Sequence, residues 1–115
     1  MTQERFTADN ATLLLIDHQA GTMQLIKNID RELAAKQSVA LAKMANILDM
    51  PVVITSSQED RAQGPILPEI SKVQPEAHAA RVKRPGVVNA WAYPAFRNAV
   101  LATGRKHLIM ACAFR

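Results

Sequence analysis

Apolar and polar positions alternate in blocks along this chain, and the blocks change period in a way that predicts its elements. The run ATLLLI, Ala11–Ile16, is apolar without alternation and closes on the polar cluster DHQ and Gly21. A short run of that kind is a strand buried on both faces, as in a parallel sheet. Between residues 30 and 50 the period lengthens. Ile29, Leu33, Ala40, Leu41, Met44, Ile47 and Leu48 recur at three- and four-residue steps, opposite Lys36, Gln37, Lys43 and Asn46. That spacing predicts an amphipathic helix, ended by Pro51.

The β-branched run at residues 51–57, PVVITSS, predicts a second buried strand. Residues 58–76 hold Gly64, Pro65, Pro68 and Pro75, an irregular excursion with a short helix around residues 67–72. A short strand is expected just before Pro85. A second helix starts at Pro94, with Phe96, Val100 and Leu101 on one face and Gly104 as its C-terminal cap. The segment HLIMACAF predicts a third buried strand.

Strand, helix, strand, excursion, helix, strand is the order of an α/β protein. Its fold class is a three-layer, Rossmann-like parallel sheet with flanking helices and right-handed crossovers. A chain of 115 residues without repeats or linkers is read as a single domain, residues 1–115. Ligands of open parallel sheets bind at the carboxyl ends of the strands. Those ends carry Asp17, His18 and Gln19 after the first strand, Thr55, Ser56 and Ser57 after the second, and Ala113, Phe114 and Arg115 after the last.

Composition changes this picture little. Hydrophobic residues make up 49% of the chain but aromatics only 4%, so the core must be aliphatic. The net charge of +4 is scattered. Its only clusters, Arg81-Lys83-Arg84 and Arg105-Lys106, are short and lack the stacking platform that single-stranded nucleic acid needs. No nucleic-acid partner is expected. One cysteine precludes an intramolecular disulfide and fits a reducing, cytoplasmic setting. No apolar run approaches the roughly 20 residues of a membrane-spanning helix, so no membrane partner is expected. Neither the dinucleotide glycine motif nor a P-loop is present, and no cofactor is implied.

Three groups could carry chemistry. Asp17, at the rim of the sheet, can take a proton from a nucleophile. Lys83 and Arg84 offer cations to keep a carboxylate ionised and to stabilise developing negative charge. Cys112 lies inside an apolar run, which favours a buried structural thiol over a reactive one. His18, His78 and His107 show no ligand spacing, and no metal is expected.

The blocks LLLIDHQAG, NILDMPVVITSSQED with GPILPEI, RPGVVNAW and ATGRKHLIMA, taken together, resemble the isochorismatase-like cysteine hydrolases, most closely the YcaC-like subgroup. DHQAG and RPGVVNAW are the most distinctive pieces, and the match runs over residues 10–111. The resemblance implies an Asp-Lys-Cys triad acting on a C–N or related bond of a small molecule. Asp17 matches the family's general base. The basic site falls on Lys83 or Arg84, which the spacing does not separate. Gln19, Asn89 and Trp91 would bind substrate, and assembly as a homo-oligomer is implied.

The match departs from the family at its end. Ala111 aligns with the family's alanine, and Cys112 then falls on its glycine. In the family the nucleophile opens a helix whose amides help form the oxyanion hole. That position would fall a few residues past Arg115. The resemblance therefore implies a domain incomplete at its C-terminus, a truncated relative whose activity is uncertain. The alternative is a catalytically inactive fragment or pseudoenzyme with a ligand- or subunit-binding role. Without later strands, a central strand would stand as an unpaired edge prone to association.

Overall fold

The computed structural model describes residues 5, 7–24 and 30–112. Ile29 and the strand end expected at residues 113–115 lie outside them. Among the described residues, nine regular elements follow one another: β1 (Ala11–Ile16), α1 (Ala20–Met23), α2 (Arg31–Ile47), β2 (Val52–Ser57), α3 (Pro68–Val73), α4 (Pro75–Ala79), β3 (Val82–Arg84), α5 (Pro94–Leu101) and β4 (His107–Cys112). A single 3-10 turn, Ala90–Ala92, precedes α5. The α/β reading holds. Two short helices, α1 and α4, were not expected from the sequence.

The four strands form one parallel sheet in the order β3-β2-β1-β4. β1 is central, and all six of its residues are buried. This is why its sequence does not alternate. Leu13 and Leu15 enter a core under α2 and α3 with Ala42, Ala45, Ile54 and Ile70. Leu14 and Ile16 face the other way, into a smaller core with Phe96 and Val100 of α5.

The buried stripe of α2 differs from the expected one. Ser38, Ala42 and Ala45 pack inward, while Leu33 and Leu48 are exposed and Ile47 is 82% exposed. Small side chains let a helix lie close on the sheet, so the alanines, not the larger residues, mark the contact face. Asp30 caps the helix by accepting from the Glu32 N–H at 3.2 Å. The helix stops at Ile47, before Pro51, and the chain reverses through Asp49 with a left-handed φ of 54°.

β4 corrects the expectation of a third buried strand. It pairs with β1 alone among the described residues, and Met110 is 61% exposed. An apolar run in a central strand and one in an edge strand look alike in sequence. What differs is the number of neighbours. Cys112, expected to be buried, is exposed for the same reason.

Gly21, the second residue of α1, lies where the excursion after β2 crosses the helix. Its N–H donates to the Gln63 carbonyl at 2.7 Å, and a Cβ would collide with the Ala62 carbonyl. This contact, with the Ala20 N–H donating to the Pro65 carbonyl at 2.9 Å, anchors the long excursion beside the end of β1.

Candidate functional site

Strand register brings the site together. Ile16 pairs with Thr55 on one side and Cys112 on the other, and Ser57 pairs with Arg84. The carboxyl ends of all four strands therefore meet at one rim. Asp17, the next residue after β1, has φ 62°, a left-handed conformation that aspartate tolerates better than most residues. Its N–H is still held by the Thr55 carbonyl at 3.0 Å, and its carbonyl accepts from the Gln19 N–H at 2.8 Å. The chain thus turns sharply, leaving the Asp17 carboxylate at the end of the sheet but only 5% exposed.

Arg84 meets it there. Its side chain is fully buried. Nη2 lies 3.0 Å from Asp17 Oδ1 and donates to Oδ2 at 3.1 Å. Oδ1 shares the charge but accepts no aligned hydrogen bond. The rest of the guanidinium is also engaged: Nε donates to the Val87 carbonyl at 2.8 Å and Nη1 to Thr55 Oγ1 at 3.2 Å. Thr55 in turn donates to the Val82 carbonyl at 2.8 Å. A buried charge pair with its remaining donors satisfied is the arrangement in which neither ion is left uncompensated.

The sequence left Lys83 and Arg84 as equal occupants of the basic position. Arg84 reaches Asp17, whereas Lys83 is exposed. The pleat of β3 separates them, because successive side chains of a strand point to opposite faces. Lys83 adds to the positive field around Glu59, together with Arg81. Arg81 donates from Nε at 2.7 Å and from Nη2 at 3.0 Å to the Glu59 carboxylate, and the Ser56 hydroxyl donates to the same group. The two Arg81 bonds, above all, hold the Glu59 carboxyl down at about 2.

Gln19 is fully buried. Its Nε2 donates to the Ser57 carbonyl at 2.9 Å and the Gly64 carbonyl at 2.6 Å, and its Oε1 accepts from the Ser57 N–H at 2.9 Å. All its hydrogen-bonding capacity in these contacts goes to backbone, where it clamps β1 to the start of the excursion. His18 is 2% exposed, and burial pushes its imidazole from 6.5 down to about 4. Nδ1 accepts no hydrogen bond. A neutral imidazole directly after the site carboxylate is a feature the sequence showed only as a histidine of undecided role. No group of three metal-ligating side chains occurs among the described residues.

Beside the ion pair, on the α5 face of the sheet, lies a cavity of about 330 Å³. Leu14 and Ile16 form its floor, Met110 and Cys112 one side, and Val88, Asn89, Ala90, Trp91 and Phe96 the other. Trp91 stands edge-on to Phe96, with ring centroids 6.5 Å apart at 86°. Asn89 Oδ1 accepts from the Trp91 backbone N–H at 3.1 Å and so caps the 3-10 turn that carries the indole. Asn89 and Trp91 thus share one cavity with the sequence-distant Cys112, whereas Gln19 is held in the backbone clamp.

The Cys112 thiol is raised above the ordinary thiol range, first by its partial burial and then by the negative charge of Asp17, with Arg84 opposing. A reactive thiol needs the opposite shift.

No protein-family model matches the chain. It is 36% identical over 107 residues to the probable hydrolase YcaC of Escherichia coli (strain K12), covering 93% of this chain and 50% of that protein. The crystal structure of the Escherichia coli YcaC gene product, described as an octameric hydrolase of unknown specificity, superposes with a TM-score of 0.89 at 36% identity. That superposition covers 97% of this chain and 54% of the other. YcaC from Pseudomonas aeruginosa, solved with hexane-2,5-diol and covalent acrylamide, gives the same TM-score at 37% identity, over 97% of this chain and 55% of the other. The chain is a homologue of YcaC and spans about half the length of the relatives it matches.

Proposed function

We propose that the chain carries the base and cation of a cysteine-hydrolase centre of the isochorismatase-like kind, acting on a C–N or related bond of a small molecule. Asp17 is its general base. Arg84, not Lys83, is the positioning cation paired with Asp17. Asn89 and Trp91 border the substrate, and Gln19 positions the Asp17 turn. The observation that carries this reading is the buried Asp17–Arg84 pair at the strand ends, beside a cavity. The hydrolase descriptions of the YcaC homologues support it. Assembly into a homo-oligomer is part of the proposal, by analogy with the octameric relative.

The chemistry follows from the parts. Asp17 accepts the proton of a thiol. The sulfur attacks the carbonyl carbon of an amide, the C–N bond breaks, and the proton held on Asp17 leaves with the amine. Water, losing a proton to Asp17, then cleaves the thioester and releases a carboxylic acid, and the sulfur regains its proton. Arg84 holds no substrate in this scheme. Its donors go to Asp17, Thr55 and Val87.

Cys112, the only cysteine of the 115 residues, does not fit the thiol of this scheme: partial burial and the charge of Asp17 raise it, and it ends β4 instead of opening a helix. That observation favours a second reading for the chain as it stands, as a protein that binds a ligand or a partner subunit without turnover. Ammonia release from small carboxamides, compared across the native chain, Asp17→Asn and Cys112→Ser, separates the two. Turnover lost on Asp17→Asn supports Asp17 as the base, whereas turnover kept on Cys112→Ser contradicts a thiol mechanism, because Cys112 is the only cysteine of the 115 residues. Retained binding without turnover supports the second reading. Turnover lost on Cys112→Ser contradicts the exclusion of Cys112.

A further inference from the structure

We infer that Gln58 is a positioning residue for the Asp17–Arg84 pair: its side-chain amide backs the turn after β3 and so fixes the Arg84 guanidinium against the carboxylate. This deepens the function proposed above and rests on it only in treating the pair as the base and cation of a hydrolase centre.

Arg84 needs such support. It ends a three-residue strand that pairs with β2 alone among the described residues. A long side chain at such an end has many rotamers to lose. The guanidinium is nevertheless tied to its own turn, because Nε donates to the Val87 carbonyl at 2.8 Å while Nη2 reaches Asp17. The place of the Val87 carbonyl therefore sets where the cation sits. Between Arg84 and Val87 the chain passes Pro85, which has no N–H to give, and Gly86, whose φ is 95°. Neither residue has a side-chain donor or acceptor to hold the turn from inside.

Gln58 holds it from outside. It directly follows β2, and its N–H donates to the Arg84 carbonyl at 3.0 Å, carrying the β2–β3 ladder one residue past Ser57. Its amide lies over Gly86, where a Cβ would come within 3.0 Å of Nε2 and 3.2 Å of Cδ. Glycine supplies the φ of the turn, and its bare Cα gives the amide room to lie close. The Gln58 backbone is itself unusual, with a left-handed φ of 46°. Such a conformation in glutamine persists only where surrounding contacts hold it. Here the Gln58 carbonyl accepts from the Arg61 N–H at 2.9 Å, and Oε1 accepts from Gln63 Nε2 at 3.2 Å. Asp17 and Gln58, the residues directly after β1 and β2, thus both leave the sheet in the left-handed region. One meets Arg84 at its guanidinium, the other at its turn.

The test follows solvent exchange of the Arg84 Nε–H in the full chain by proton–nitrogen NMR. The Leu13 amide of the central strand, bonded to the Pro51 carbonyl at 3.0 Å, is the internal reference. Native Nε–H exchange is expected to be slow. Gln58→Gly relieves the backbone but removes the amide. Gln58→Asn tolerates the left-handed φ but is one methylene short of Gly86. Each is expected to quicken Nε–H exchange at least about tenfold and to leave Leu13 unchanged. Gln58→Met, of similar reach, is expected to restore slow exchange. Fast exchange in the native chain, slow exchange kept in Gln58→Asn, equal quickening at Leu13, or no recovery in Gln58→Met overturns the inference. Ammonia release from small carboxamides judges the hydrolase reading separately. A native chain without release sinks that reading and leaves this one to the exchange data. Release with kcat lowered and KM unchanged in Gln58→Asn supports both. Faster exchange with unchanged release keeps Gln58 as the positioning residue and removes the pair from the chemistry.

Discussion

Arg84 Nη2 sits 3.0 Å from Asp17 Oδ1, in a pair where the guanidinium is fully buried and the carboxylate nearly so. The two residues are brought together because β2 lies between β1 and β3, and because Arg84 ends β3 where Asp17 follows β1. The pair closes the rim of the sheet and gives the molecule its one buried, compensated charge couple among the described residues.

Removing Arg84 leaves Asp17 buried without its counter-ion. Arg84→Ala is expected to cost about 3–5 kcal/mol in chemical denaturation. Arg84→Lys recovers little of this, because an ammonium cannot serve Asp17, Thr55 and the Val87 carbonyl from one planar group. Lys83→Ala, on the exposed face, is expected to stay within about 0.5 kcal/mol. Equal losses at 83 and 84 would refute this assignment.

Gln19 tests the clamp. Gln19→Ala orphans two backbone carbonyls and one N–H, at an expected cost of about 2–4 kcal/mol. Gln19→Glu is expected to be no better, since a carboxylate cannot donate to Ser57 and Gly64. A neutral effect of either change on the melting curve would show that the excursion is held by other contacts.

Acid should weaken the fold in two stages. His18 binds a proton less readily folded than unfolded, since burial lowers it from 6.5 to about 4. The unfolded chain therefore takes up the proton first. Stability is full above about pH 6.5, falls as the pH drops, and levels off below about 4, a loss of about 3 kcal/mol. Glu59 acts further down. Its depressed carboxyl contributes stability above its usual value of 4.5, and that contribution is lost as the pH falls through about 2. Because this carboxylate is partly solvated, its share is the smaller one. Denaturation midpoints across pH check both stages, and His18→Gln should flatten the upper one. If that variant does not fold, proton NMR titration of the His18 ring in the native chain reads the same shift.

Cys112 is accessible but deactivated. Iodoacetamide should label it in the folded chain, slowly at neutral pH and faster as the pH rises past the ordinary thiol range. Asp17→Asn removes a negative charge that opposes the thiolate and should speed labelling. A burst of alkylation at neutral pH would mark Cys112 as an activated nucleophile and contradict the assignment.

Much of this was legible in the sequence, and the failures have physical causes. β1 could be read because burial on both faces erases alternation, and Asp17 because it ends that run. The choice between Lys83 and Arg84 was not readable, since β3 is three residues long and its facing depends on register with β2. β4 and Cys112 were misjudged because hydrophobicity does not count neighbouring strands. The inner face of α2 was only partly read, since Leu41 does pack against the core but other expected positions do not. Its fully buried positions are alanines and a serine, which carry little hydrophobic signal, while Leu33 and Ile47 stay in solvent.

A double-mutant cycle on Asp17 and Arg84 probes the site most directly. Stabilities are compared for the native chain, Asp17→Asn, Arg84→Met and the double variant. The account predicts non-additivity of about 1–3 kcal/mol, with the double variant more stable than the two single losses together would allow. Additivity within about 0.5 kcal/mol would mean that the two residues do not form one site.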